Sequence, residues 1–180
     1  MIYVDQDILD SLRAKDIEIL PFDKARLGSN SYDLTLGPTL LQYDSSFTLD
    51  CKHPPDKYRT ITMKDEGYVI QPGSLYLGCT NEYTSSRLAV PCIEGKSSIA
   101  RLGISVHATA GFGDVGFAGT WTLEISCIVP VRIYPDIPIA QIYFYMTMGR
   151  CQKPYHLKED AKYSNQPGRP VPSAMWKNFI

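Results

Sequence analysis

Apolar positions near the N-terminus recur at helical spacing: Ile8, Leu9 and Leu12 share one face of a short helix that Asp5 can cap. After this segment the period changes. Short β-rich runs follow at 17–20, 32–36, 40–43, 68–70, 75–79, 104–108, 120–129, 131–134 and 139–146. They are separated by punctuators such as Gly37-Pro38, Pro54-Pro55, Gln71-Pro72-Gly73 and Tyr134-Pro135-Asp136. Many short strands at this spacing predict a mainly β fold, a sandwich, jelly roll or barrel, with a short N-terminal helix.

Segment 51–64 is charged and carries two prolines; it reads as an exposed connection. Near the C-terminus, Lys158 to Gly168 is polar and contains Gly and Pro, so it cannot bury itself. It reads as a frayed tail or as a lid that orders over a ligand. At 180 residues the chain fits one domain, 1–180, with 155–180 as its lid or tail.

Eighteen basic residues against nineteen acidic ones leave a net charge of −1, too little for a basic face that grips DNA or RNA. Cys51, Cys79, Cys92, Cys127 and Cys151 are odd in number and form no C-x-x-C pair, which fits reduced thiols in a cytosol. No window approaches the roughly 18 apolar residues of a membrane span, and the N-terminus lacks the basic and apolar regions of a secretion signal. A cytoplasmic protein with no membrane partner is expected.

Candidate chemistry concentrates in two places. Lys96, Ser97, Ser98 and Arg101 crowd a cation, two hydroxyls and a guanidinium into one short run, a set suited to an anion such as phosphate. Downstream, alternation through Thr120-Trp121-Thr122-Leu123-Glu124-Ile125-Ser126-Cys127 turns Trp121, Leu123, Ile125 and Cys127 to one face. Glu124 therefore points away from the apolar side, either onto a solvated sheet face or into a pocket where partial desolvation favours proton shuttling. Asp114 lies in Gly111-Phe112-Gly113-Asp114-Val115-Gly116-Phe117-Ala118-Gly119, whose four glycines suit a plain turn or a close approach to a ligand.

Several chemistries fail on spacing. Gly95-Lys96-Ser97 imitates the end of a P-loop, but Val90 stands where its first glycine is required. His53, His107 and His156 lack the H-x-E pattern, and P-C-x-x-C is absent, so the zinc nucleobase deaminase signature is not met. His107 alternates within 104–108 and reads as a hydrogen-bonded strand histidine rather than a base.

Five segments in order resemble the dCTP deaminase branch of the trimeric dUTPase superfamily. They are Gly95-Lys96-Ser97-Ser98-Ile99-Ala100-Arg101-Leu102-Gly103, Val106-His107-Ala108-Thr109-Ala110-Gly111, Asp114-Val115-Gly116-Phe117, Thr122-Leu123-Glu124, and Glu159-Asp160-Ala161-Lys162-Tyr163 with Asn165-Gln166. Asn30-Ser31-Tyr32-Asp33-Leu34 also fits the family's early strand.

The resemblance implies a distorted jelly-roll or β-barrel protomer of the dUTPase-like fold, assembled as a homotrimer with nucleotide sites at subunit interfaces. It makes Glu124 the general base that activates water for attack on C4 of the cytosine of dCTP, without zinc. Ser97, Arg101 and the Ala110 backbone would place that water and the amino group. Lys96, Ser98 and Arg101 would hold phosphate oxygens, with Ile99 and Ala100 in the same nucleotide-binding run. Thr122 and Leu123 would read the pyrimidine edge through backbone groups, and Asp114 would meet the deoxyribose 3′-hydroxyl. Tyr155, Lys162 and Gln166 would close over a triphosphate that brings Mg²⁺ with it, and dTTP is implied as a feedback inhibitor.

The leading expectation is therefore a dCTP deaminase that forms dUTP and ammonia. Gly111 stands where dUTP-forming members carry a larger residue, and Asp114-Val115-Gly116 replaces their Asp-Pro-Gly. Glycine there resembles bifunctional members that carry dCTP through to dUMP and diphosphate. A simple dUTPase and a nucleotide-sensing protein without turnover are the remaining alternatives.

Overall fold

The structure is a computed structural model that describes residues 1–166 and 168–180. Among these residues two short α-helices, α1 (Asp5–Ala14) and α2 (Ser97–Ala100), accompany thirteen strands. The strands are β1 (Ile17–Leu20), β2 (Tyr32–Thr35), β3 (Thr39–Tyr43), β4 (Tyr58–Thr62), β5 (Tyr68–Ile70), β6 (Tyr76–Cys79), β7 (Tyr83–Ser86), β8 (Ala89–Gly95), β9 (Ile104–Val106), β10 (Ala118–Gly119), β11 (Thr122–Cys127), β12 (Val131–Ile133) and β13 (Pro138–Met146).

The strands form antiparallel sheets in the orders β4-β3-β6-β11-β9, β2-β13-β8, β1-β7-β10 and β12-β5. The mainly β expectation with one N-terminal helix is met. The sheets pack around a common core but do not close by hydrogen bonding into a barrel. That core is built on Tyr32, Leu34, Tyr76, Ile93, Leu123 and Phe144, all essentially without solvent contact. Burial of each such aliphatic or aromatic side chain contributes about 1.5–3 kcal/mol.

In α1, Ile8 faces this core, with Leu9 and Leu12 partly covered. Its N-cap is Val4 rather than Asp5, and the Asp7 carboxylate accepts the Val4 N–H at 3.0 Å. Strands β4, β7, β8 and β10 lie outside the predicted runs, and in β7 and β8 the sequence hides the apolar signal. In β7 the inward positions are Thr84 and Ser86, buried hydroxyls that break the hydrophobic alternation. In β8, Pro91 argues against a strand interior, but β8 is the outer strand of its sheet, where a missing N–H is tolerated.

Segment 51–64 is not only a connection. It contains β4, the exposed edge strand paired with β3. The predicted strand 120–129 is shorter in the structure, β11 alone, which pairs with β6 and β9; β10 precedes it and pairs with β7. Trp121 stands between the two.

The described residues of the C-terminal segment pack back on the body of the fold. The Tyr155 N–H donates to Val115 O (2.7 Å), and the Asn165 N–H donates to Ala118 O (2.9 Å). The Ala174 N–H donates to the Tyr163 hydroxyl (2.9 Å), and Ala174 itself is buried. Among the described residues, no helix is long and apolar enough to cross a membrane.

All five cysteines are free thiols; Cys51 and Cys151 are exposed, while Cys79, Cys92 and Cys127 are buried. Burial pushes the Cys79 thiol up to about 11 and raises Cys92 and Cys127 as well, so the reactive thiolate is scarce at all three. Titration of the native protein with a thiol-disulfide reagent should modify Cys51 and Cys151 promptly and the other three only on unfolding. Fast modification of a third thiol would contradict this packing.

Candidate active site

The C-terminal segment roofs a cavity of about 660 Å³, whose floor is the outward face of β11. Alternation on β11 holds: Leu123, Ile125 and Cys127 are buried, while Thr122 and Glu124 line the cavity. Glu124 therefore stands on a pocket wall, not on an open sheet face. Its side chain remains 40% exposed.

The ladder between β9 and β11 ends where the site begins. Their register covers Ile125 to Cys127, and the Glu124 carbonyl accepts the His107 N–H at 3.0 Å. At His107 the chain turns away with a left-handed φ of 56°. This leaves the Thr122 end of β11 without a β9 partner and opens that edge to the cavity.

The turn also folds the nearly buried His107 ring back, so that Nδ1 meets Glu124 Oε2. The sequence pattern reads His107 as a strand histidine; the structure places it just beyond β9, in contact with the cavity carboxylate. Its side-chain target could not be read from alternation, because the backbone leaves the strand there.

The second wall is the glycine-rich loop. Asp114, Gly113, Phe117 and Trp121 line it, with Ala110 on the preceding turn. Phe117 packs on Trp121 with ring centroids 4.3 Å apart, and the Trp121 indole donates to Thr84 Oγ1 at 2.8 Å. The Asp114 carboxylate accepts the Lys158 ammonium at 2.9 Å, and that contact raises the pKa of Lys158.

Gly111 sets the height of this loop. Its carbonyl accepts the Ile93 N–H at 2.7 Å, and a Cβ built on it would lie 2.1 Å from Ile93 O. Any side chain there lifts the loop from β8.

The roof comes from the tail. Tyr155, Tyr163, Gln166, Val171 and Trp176 line the cavity. Thr122 Oγ1 donates to Gln166 Oε1 (2.6 Å) and accepts the Val171 N–H (3.0 Å), so one floor residue anchors two roof positions. The Ser173 N–H donates to the Tyr43 hydroxyl at 3.2 Å, and burial raises that phenol's pKa. The remaining wall includes Leu49, Asp50, Cys51 and His53 with Leu75 and Leu77. Sequence reasoning missed this contribution from 49–55, since a polar, proline-containing stretch gives no sign of what it packs beside.

The structure thus brings Glu124, Ala110, Asp114, Thr122, Tyr155 and Gln166 to one cavity. Leu123 sends its side chain into the core, leaving only its backbone for a ligand. Lys162 is half-buried in the tail and is not among the lining residues.

The run 96–101 lies elsewhere and contributes nothing to this chain's cavity wall. There, Ile99 anchors α2 in the core while Ser97, Ser98, Ala100 and Arg101 are exposed. Lys96 is half-buried and its ammonium pairs with the Asp33 carboxylate on β2. Among the described residues, no group of three His, Cys, Asp or Glu side chains is arranged to hold a metal ion.

A family model described as dCTP deaminase-like matches residues 2–147. The chain is 47% identical over 179 residues to a Clostridium botulinum protein named "dCTP deaminase, dUMP-forming", with 99% of both chains covered. A protein of the same name from Clostridium acetobutylicum is 47% identical over 180 residues, covering 100% of this chain and 99% of the relative. Another from Cytophaga hutchinsonii is 45% identical over 179 residues, with 99% of each chain covered.

Among solved structures, a 2′-deoxycytidine 5′-triphosphate deaminase from Agrobacterium tumefaciens superposes with a TM-score of 0.65 at 21% identity. It covers 81% of this chain and about half, 48%, of that longer chain. This last likeness concerns the fold.

Gly111→Ala tests the close approach of loop and strand. The substitution should cost about 1–3 kcal/mol, as overpacking does, and shift the urea midpoint downward. Unchanged stability would show that the loop does not lie on β8 as described.

Proposed function

This chain belongs to the dCTP deaminase-like family, and from that premise we propose that it deaminates dCTP and carries the product on to dUMP and diphosphate. The observation that carries the reading is Glu124, half-exposed in an aromatic cavity with Asp114, in a chain similar over its full length to relatives named dUMP-forming. Those names, with Gly111, move the preference from dUTP to dUMP as the product.

In the proposed deamination Glu124 takes a proton from water as the hydroxide adds to C4 and passes it to N3; it then moves the remaining hydroxyl proton to the amino group, so that the C4–N bond breaks, ammonia leaves and the C4 carbonyl forms. No zinc is required. His107 holds one oxygen of the carboxylate, while the Ala110 backbone and the free edge at Thr122 and Leu123 face the base. Asp114 would meet the 3′-hydroxyl and orient the water that attacks the α-phosphate.

The domain, 1–180, works as one unit with 155–180 as its lid. Tyr155, Lys162 and Gln166 are assigned to the triphosphate, which brings Mg²⁺ as its own counter-ion. Ser97, Ser98 and Arg101, flanked by Lys96, Ile99 and Ala100, serve the cavity of a neighbouring protomer in a homotrimer. Supporting this is their exposure on the outside of a chain whose own cavity wall they do not reach. From the adjoining subunit, Ser97 and Arg101 would place the attacking water and balance the Glu124 charge. In this reading dTTP competes for the same pocket as a feedback inhibitor, and the enzyme works in the cytoplasm.

Incubation with dCTP and Mg²⁺ followed by chromatography should yield ammonia, dUMP and diphosphate. Accumulation of dUTP alone would restore the single-step deaminase, and dCTP left unchanged at high protein concentration would sink both. Glu124→Gln keeps the shape of the side chain without its basicity. Turnover should fall about 10²–10⁴-fold while calorimetry still detects nucleotide binding. Retained turnover would remove Glu124 from the proton path.

A further inference from the structure

The sequence pattern does not single out Lys158, yet the structure joins it to the loop that carries Asp114. Its ammonium donates to Asp114 Oδ2 at 2.9 Å and lies 5.6 Å from the centre of the Tyr155 ring. The Lys158 N–H donates to Tyr155 O (3.1 Å), while the Tyr155 N–H donates to Val115 O (2.7 Å), one residue beyond Asp114.

Gly116 adds a third point of contact. With φ at 85°, its open face lies so close to the tail that a Cβ would come within 3.0 Å of Pro154, Tyr155 and His156. Loop 113–117 and segment 154–158 are therefore fastened through backbone, ring and charge together.

An exposed ion pair adds little to stability. This one lies partly open, with side-chain exposures of 36% for Lys158 and 45% for Asp114. What it changes is orientation. With Oδ2 taken by the ammonium, a cavity-lining carboxylate is restrained, where an unpaired side chain would rotate freely.

We propose that Lys158 is a positioning residue: seated with the tail, its ammonium fixes the Asp114 carboxylate and so determines whether cleavage of the α,β-phosphoanhydride, with diphosphate as the leaving group, follows deamination. The inference rests on the dCTP-to-dUMP reading. It adds a link between lid closure and the second chemical step, because Lys158 reaches Asp114 only while the tail is down.

Lys158→Met removes the charge and keeps the apolar stem; Lys158→Arg restores a donor. In the full-length protein with dCTP and Mg²⁺, Lys158→Met should raise the ratio of dUTP to dUMP formed by about tenfold or more, the effect of a misplaced reactive group. Lys158→Arg should return the ratio toward that of the wild type. Hydrogen exchange measured without nucleotide should quicken at 113–117 in Lys158→Met.

An unchanged product ratio with unchanged exchange would overturn the proposal. So would a higher KM for dCTP at constant product ratio, which would make Lys158 a phosphate contact instead. If the wild type forms no dUMP, the functional reading falls, and exchange at 113–117 alone decides whether Lys158 holds the loop.

Discussion

Trp121 is the joint on which the site depends. Its backbone N–H donates to Thr80 Oγ1 (3.0 Å), its carbonyl accepts the Thr80 N–H (3.0 Å), and its indole donates to Thr84 Oγ1 (2.8 Å). These bonds bolt the junction of β10 and β11 to the junction of β6 and β7, at the point where the chain passes between sheets. A buried indole with every polar group satisfied holds one orientation, and its ring then becomes the cavity wall against Phe117 and Gly113. The register of β11, and with it the position of Glu124, follows from that joint.

The cavity is assembled from segments far apart in the chain, and its polar groups are tied across them. Thr122 bonds to the tail at Gln166 and Val171, and Tyr43 bonds to it at Ser173. Such hydrogen bonds are individually modest, about 0.5–1.5 kcal/mol net. Together they hold a polar tail in place without a large apolar face of its own. A roof held by a few short-range bonds can also open at little cost, as access to a roofed pocket requires.

Much of this arrangement was legible beforehand. Alternation through 120–127 put Glu124 on the polar face, and the structure keeps that face. The helix at Ile8 and most strands were marked by apolar periodicity, because sheet and helix faces bury at fixed intervals. Strands β7 and β8 were hidden for the opposite reason: buried Thr84 and Ser86 satisfy their hydroxyls inside the fold, and Pro91 lies on an outer strand. The left-handed turn at His107, which ends the β9 ladder and opens the edge of β11, leaves no mark in local pattern.

By itself the sequence determined the β-rich class, the N-terminal helix and the residues bearing charge and hydroxyls, since these depend on local period and residue chemistry, and its ordered motifs carried the resemblance to the family. Tertiary structure alone decided that Glu124 faces a roofed cavity, that His107 and Lys158 meet Glu124 and Asp114, and that Ser97 and Arg101 do not line that cavity. Those outcomes depend on distances between segments tens of residues apart. No local pattern encodes them, because they arise only when the sheets pack and the tail closes across β11.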